Sequence, residues 1–292
     1  MPNAGLIGLQ VLARTLSVKR STKGFGRPVY YHPRSDYHSN VSSVLMTIDL
    51  IQRSAALRRD IGAGRLVMGV NAVLRDHGTG RKKTLDLVVG TPADTGKARG
   101  TARSLGDLVS SLGLVTDPAV VSVISGLPPL PTGPVGQVRL AMEAKACMTE
   151  HRKAGPRIYD ELTSSHTTVH GNSPRALSVG FVMVNDADSY LSPTHPGNYN
   201  LSLTSTPSMS QHRQPEAAAF VFRKLSELQI RGGSLDVPGF DGLAVVAVTT
   251  DNLDGGFHIA KRSIDRTLQE RFAYAPMIDR VAALYDQLYG GF

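Results

Sequence analysis

Apolar positions in "SNVSSVLMTIDLIQRSAALRRDIG" recur at helical spacing: Val41, Val44, Leu45, Ile48, Ile51 and Ala55. With Ser39 or Asn40 as cap and Gly62 as stop, the spacing predicts a helix over about residues 40–60. The pattern then changes. "RLVMGVNAVLRD" and "KKTLDLVVGT" are rich in β-branched and apolar residues and are joined by "HGTG", which predicts a hairpin. Part of 92–115 reads as helix, and "SGLPPLPTGPVG" (125–136) holds too much Pro and Gly for either a helix or a central strand.

"VRLAMEAKACMTEH" (138–151) follows as a strand, then a helix over 149–170 that Gly155 and Pro156 would delay or kink. "ALSVGFVMVND" (176–186) is almost continuously apolar, as a strand covered on both faces is. A polar stretch (189–215) precedes a helix at "EAAAFVFRKLSELQI", a strand at "GLAVVAVTTD" and a final amphipathic helix after Ala260. No segment repeats, and the order predicts an α/β fold with a mixed central sheet flanked by helices. Residues 1–38, with "KRSTKGFGRPVYYHPRSDYH", read as a basic arm carrying Tyr30, Tyr31 and Tyr37, ahead of a main domain at 39–292 with 189–215 as an inserted polar loop.

Composition narrows the class. The 292 residues suffice for a large core, and 41% hydrophobic with 19% charged residues is the balance of a globular protein. No apolar run reaches the roughly 20 residues of a membrane span. The basic residues of the N-terminus follow its apolar stretch, with no small-residue cleavage site, so a cytoplasmic location is expected. A single cysteine, Cys147, excludes an internal disulfide and a cysteine-based zinc site, and its apolar neighbours mark it as a packed thiol.

Charge is divided along the chain. The net charge is +8, yet residues 1–142 hold 18 Lys and Arg against eight Asp and no Glu, while the remainder is slightly acidic. A basic half of this kind suits a polyanion, since Lys and Arg displace counterions from phosphates. The polar stretch at 189–215 supplies Ser, Thr, Asn, Gln, His and Arg, side chains that can read base edges.

Within the charged strand, Glu143 and Lys145 stand two residues apart and therefore share a face. One acid-x-Lys match is what chance supplies in such a chain; its setting in a core strand is what singles it out. Exposed ion pairs contribute little and buried ones often fail to recover their desolvation cost, so stability is a weak reason for the pair. Asp86, in the preceding strand, is another isolated acid. Carboxylates on neighbouring strands can converge on Mg²⁺, and a lysine beside them can orient or deprotonate a water.

These residues resemble the PD-(D/E)xK nuclease superfamily, to which many type II restriction endonucleases belong. The resemblance covers roughly residues 40–186: Asp86 in one strand, Glu143-Ala144-Lys145 in the next core strand, and the helix and apolar strand that follow. It implies a restriction-endonuclease-like core and a Mg²⁺-dependent endonuclease acting on double-stranded DNA in a restriction-modification system, with a homodimer cutting the two strands. Asp86 and Glu143 would hold the metal with the Ala144 carbonyl, and Lys145 would position the water. Arg152, Lys153 and Arg157, directly after the site, would contact DNA phosphates.

The sequence departs from the pattern in two ways. Leu85 replaces the proline of the motif, and 57 positions separate Asp86 from Glu143, which leaves Asp94, Asp107 and Asp117 as other candidates for the first acid. A helical acid before the first strand, which some members of the superfamily supply, would be Asp49 or Asp60. His151, His166 and His170 lack paired-ligand spacing, against a His-metal nuclease. The rivals are a non-catalytic nucleic-acid-binding protein with a structural Glu143–Lys145 pair, and a repair or recombination nuclease of the same fold.

Overall fold

The computed structural model describes residues 5–22, 25–94, 103–199, 201, 204–232, 237–261 and 264–291. In chain order the elements begin with α1 (Gly8–Leu16), β1 (Arg20–Thr22), β2 (Phe25–Val29), α2 (Tyr37–Arg53), α3 (Ala55–Gly62), β3 (Val67–Arg75) and β4 (Lys82–Pro92). They continue with α4 (Leu105–Leu112), α5 (Pro118–Ser125), β5 (Val135–Cys147), α6 (His151–Asn172), β6 (Leu177–Asn185), β7 (Ser189–Leu191) and β8 (Met209–Gln211). The chain closes with α7 (Glu216–Leu225), β9 (Gly242–Thr249), β10 (His258–Ile259), α8 (Arg266–Arg271) and α9 (Tyr274–Tyr289).

Six strands form one mixed sheet in the order β10-β9-β6-β5-β4-β3. The β3-β4 and β4-β5 pairs are antiparallel, as hairpins and short returns require, whereas β5-β6 and β6-β9 are parallel. A parallel pair needs a crossover, and α6 supplies the one between β5 and β6. β6 lies inside the sheet and is buried along its whole length. Val179, Phe181 and Met183 join the core under α1, α2, α3 and α9, while Val182 and Val184 join the core under α6 and α7. The mixed sheet with helices on both faces is the fold expected from the alternation of apolar patterns.

β5 shows how the sheet sorts its side chains. Leu140, Met142 and Ala144 pack into the larger core, and Ala141 and Cys147 face the opposite side, where α6 lies. Glu143 and Lys145 are in phase with Ala141 and Cys147, so strand alternation places both charges beneath α6.

Three expectations are revised. The helix expected over 40–60 is two helices, because Ser54 leaves the helical conformation (φ −96°, ψ 115°) and caps α3 through the Leu57 N–H. Its hydroxyl also donates to Asp286 Oδ1 at 2.5 Å, tying the break to α9. Within the segment expected as an arm, α1 buries Val11, Leu12 and Leu16 in the main core, and β1 pairs with β2. Within 189–215, β7 and β8 pair as a hairpin, and buried Asn198 donates to the Ser192 and Ser208 carbonyls.

Asp49 explains how α1 is held. Its fully buried carboxylate accepts the Ile7 and Gly8 N–H groups at the start of α1, at 3.0 and 2.9 Å, and the Tyr274 hydroxyl of α9 at 2.8 Å. Burial raises its pKa, while these hydrogen bonds oppose the rise. Replacing Asp49 with Ala strands three buried donors, with an expected cost of about 2–4 kcal/mol, measurable by urea unfolding. An unchanged denaturation midpoint would contradict this role.

Candidate active site

The β4-β5 ladder ends beside Asp86 and Glu143. Its last pair toward the C-terminal end of β5 is Leu87 with Met142. The next free amide of β5, Ala144 N–H, donates instead to Asp86 Oδ2 at 2.7 Å. A side-chain carboxylate thus takes the place of a ladder carbonyl and is held against β5. Across from Asp86 on β3, between the Val70–Leu87 and Ala72–Leu85 pairs, Asn71 adopts φ 49°. Left-handed backbone in a non-glycine residue costs energy, and such positions cluster at functional sites.

Glu143 is 2% exposed. Its Oε1 takes the Lys145 ammonium at 2.6 Å, and its Oε2 is buried with no hydrogen-bond partner among the described residues. Lys145 also reaches Glu161 Oε2 on α6 at 3.5 Å, and Lys83 Nζ donates to the Glu161 carbonyl at 3.3 Å. Burial raises the Glu143 pKa, the Lys145 charge opposes that rise, and the nearby Asp86 carboxylate adds to it. Asp86 is raised too, chiefly by burial, although the Ala144 N–H, Lys145 and the Ser39 hydroxyl stabilise its charge. For Lys145 burial works against the charge, but Glu143, Glu161 and Asp86 overcome it and the net shift is upward. Its acidic neighbours thus hold Lys145 as an ammonium.

The start of α2 closes the site from the larger core's side. Ser39 and Asp36 both act on the Asp86 charge, and His38 lies close enough to Lys145 to feel it. Burial, then Lys145, lowers the His38 pKa to about 4, so its imidazole is neutral near pH 7. None of Asp36, His38 or Glu161 was singled out for the site from sequence. Glu161 carried one usable signal, its place between Ile158 and Leu162 on the buried stripe of α6.

The competing acids have other work. Asp107 closes a capping box with Ser104 at the start of α4, and Asp117 caps α5 while pairing with Arg14 at 2.6 Å. Asp94 is exposed beyond the end of β4. Asp49 anchors α1, and Asp60 pairs with Arg65 and Arg139, each at 2.5 Å. Asp49 and Asp60, the two acids the helical segment offered, are both committed to structural partners. The histidines do not converge either. His151 bonds the Asn185 carbonyl, His166 packs on Phe240, and His170 meets Arg231.

Arg152, Lys153 and Arg157 lie exposed along the first two turns of α6. Lys153 pairs with Glu150 at 3.0 Å, Arg157 stands 4.0 Å from Glu161, and Arg152 lies over the Phe220 ring. Arg152 and Lys153 share a cleft of 990 Å³ with Gln211, His212, Arg213 and Gln214, from the end of the polar stretch. Two of the three predicted phosphate contacts and the end of the predicted base-reading segment therefore meet along one groove.

No group of three metal-ligating His, Cys, Asp or Glu side chains occurs among the described residues. Mg²⁺ does not require one, since it is commonly held by one or two carboxylates, with waters and substrate phosphates completing its octahedron. The orphaned Glu143 Oε2, with Asp86 beside it and both pKa values raised, is an oxygen pair that a divalent cation would suit. Compared with protein-family models, curated proteins and solved structures, the chain matches none.

Proposed function

We propose that the protein is a Mg²⁺-dependent DNA endonuclease of the restriction type. The observation that carries this reading is the meeting, at the point where β4 and β5 part, of Asp86, a buried Glu143 with one unsatisfied oxygen, and an ion-paired Lys145. The strand, charged strand, helix and apolar strand through which the sequence resembles the PD-(D/E)xK superfamily occur in the chain in that order, as β4, β5, α6 and β6.

Asp86 and Glu143 would hold the metal. The Ala144 carbonyl would assist, because in an extended strand it points to the same side as its own N–H, toward Asp86. Mg²⁺ would supply Lewis-acid stabilisation of charge on the phosphate and a more acidic water. The rest falls to the chain. Lys145, fixed between Glu143 and Glu161, presents its ammonium beside the reacting phosphate, where it orients a water and stabilises developing negative charge. The polar groove at the start of α6 holds the flanking phosphates and base edges. A symmetric pair of chains would cut both strands of a palindromic site.

Incubating plasmid, phage and base-modified DNA with the protein and Mg²⁺ tests the reading. Fragments that carry 5′-phosphate and 3′-hydroxyl ends, and that vanish with EDTA, are expected; stable DNA binding with no cleavage of any substrate would favour a purely binding protein. The groove has its own test. The Arg152→Ala, Lys153→Ala double variant is expected to flatten the plot of log K against log salt by about 2, roughly one for each phosphate no longer neutralised. An unchanged slope would remove both residues from the DNA interface.

A further inference from the structure

Beside the catalytic strand lies a second cavity, of 410 Å³, within the roughly 300–1,000 Å³ of pockets that enclose small ligands. Its walls come from four separate parts of the chain: Tyr31 from the segment before α2, Cys147 from the end of β5, Arg157 from α6, and Tyr190, Ser192 and Thr194 from β7 and the turn after it. Cys147 is two residues beyond Lys145 on the same strand face, so the cavity begins about 7 Å from the catalytic lysine.

The lining has a particular chemistry. Tyr31 offers a flat ring, whereas the Tyr190 ring is stacked on His212, with centroids 6.4 Å apart. Tyr190 is 1% exposed, and its hydroxyl is buried with no hydrogen-bond partner among the described residues, which ordinarily costs about 1–3 kcal/mol. The Ser192 and Thr194 hydroxyls lie 3.3 Å apart, adding two groups that can donate or accept. Cys147, its thiol pushed up to about 12 by burial, contributes a neutral apolar surface.

The walls are also fixed in advance. Asn252, fully buried and at φ 61°, exchanges two hydrogen bonds with the Tyr31 backbone, at 2.8 and 2.9 Å, and donates to the Leu191 carbonyl at 2.9 Å. One strained residue therefore holds both tyrosine-bearing segments. Tyr31 in turn packs on His38, with ring centroids 4.7 Å apart, which links the cavity to the start of α2 beside Asp86.

We infer that this cavity receives a single unstacked nucleobase of the DNA bound at the adjacent centre, stacked on tyrosine and read through the Tyr190, Ser192 and Thr194 hydroxyls. A base taken out of the helix is recognised in this way, by aromatic and apolar walls and by hydrogen bonds to its edge. A bare phosphate would leave the Tyr31 ring unused, and an apolar ligand would leave the orphaned hydroxyl unsatisfied. The inference rests on DNA being the substrate of the neighbouring carboxylates.

The test uses duplexes selected for tight binding, resynthesised with 2-aminopurine at each position in turn. Fluorescence is read with wild-type protein in EDTA, and cleavage is read in the same samples after Mg²⁺ is added. A severalfold rise at one position is expected, abolished by Tyr31→Ala while binding persists by anisotropy. Tyr190→Phe, which keeps the ring, is expected to reduce discrimination among the four bases at that position by about tenfold, the worth of one hydrogen bond. Cleavage without a fluorescence rise at any position, or a rise unaffected by Tyr31→Ala, overturns the pocket and leaves the nuclease reading intact. A rise that Tyr31→Ala abolishes, without cleavage, upholds the pocket and removes the nuclease reading. Duplexes that are never bound overturn both.

Discussion

Replacing Lys145 with alanine is expected to lower the single-turnover rate of Mg²⁺-dependent DNA cleavage by about 10²–10³-fold, the usual cost of removing one preorganised charge or donor from a transition state. DNA affinity should change little, because the exposed cations that would bind phosphates lie on α6. The geometry sets this expectation. Lys145 is held by Glu143 at 2.6 Å and Glu161 at 3.5 Å, so its ammonium has a defined position rather than sweeping through solvent. Arginine should not restore the rate, since a planar fork cannot occupy the place of a compact ammonium between the two carboxylates. Glu161→Gln removes one of the two anchors while leaving Glu143, and a smaller loss, about tenfold, is expected. Equal rates for wild type and Lys145→Ala would remove the lysine from the chemistry.

The second large effect is a linkage among metal, pH and stability. Glu143 and Asp86 both have folded-state pKa values raised above their ordinary ones, chiefly by burial. An acid shifted in this direction binds more protons in the folded than in the unfolded state across the interval between the two values. Stability without metal therefore falls as pH rises from the ordinary carboxylate range, near 4, through the raised folded values, and stays lowered above them. A divalent cation binds the ionised form and reverses the penalty, by about 2.7 kcal/mol at a hundredfold excess over its Kd. Mg²⁺ or Ca²⁺ is thus expected to raise the melting temperature at pH 7.5 by several degrees and to do little at pH 4.5. Glu143→Gln removes one buried charge and should melt no lower than the metal-free wild type, yet lose both the metal response and cleavage. A Glu143→Gln protein that still gains stability from metal would show that the ion binds elsewhere.

Much of this site was legible because strand periodicity is unambiguous. The interval of two between Glu143 and Lys145 put both on one face, and the apolar residues around them placed that face in a sheet interior. Asp86 was the least certain partner from sequence, set apart from Asp107 and Asp117 only by its place in a predicted strand rather than in a loop or helix. The structure separates them by place: Asp107 lies in the first turn of α4 and bonds Ser104, Asp117 caps α5 and pairs with Arg14, and Asp86 reaches across to the next strand beside Glu143.

What was illegible was set by packing between distant segments. Asp49 is a charge among apolar neighbours in sequence; besides Gln52 on its own helix, its partners are 41 or more residues away, at the start of α1 and on α9. Residues 8–16 were absorbed into an expected arm because the Gly, Pro and basic residues that follow dominated the local pattern. Yet Val11, Leu12 and Leu16 already form one apolar face of a short helix. Glu161 lies 16 residues beyond Lys145, and only the crossover that lays α6 over β5 brings the two together.

The central assignment, metal-dependent hydrolysis by Asp86, Glu143 and Lys145, is tested most directly on one DNA preparation. Wild-type protein and Glu143→Ala, purified identically and both shown to bind that DNA, are incubated with Mg²⁺, and the products are resolved by electrophoresis. Discrete fragments from wild type and intact DNA from the variant are the expected result. Intact DNA from both, or the same fragments from both, would contradict the assignment.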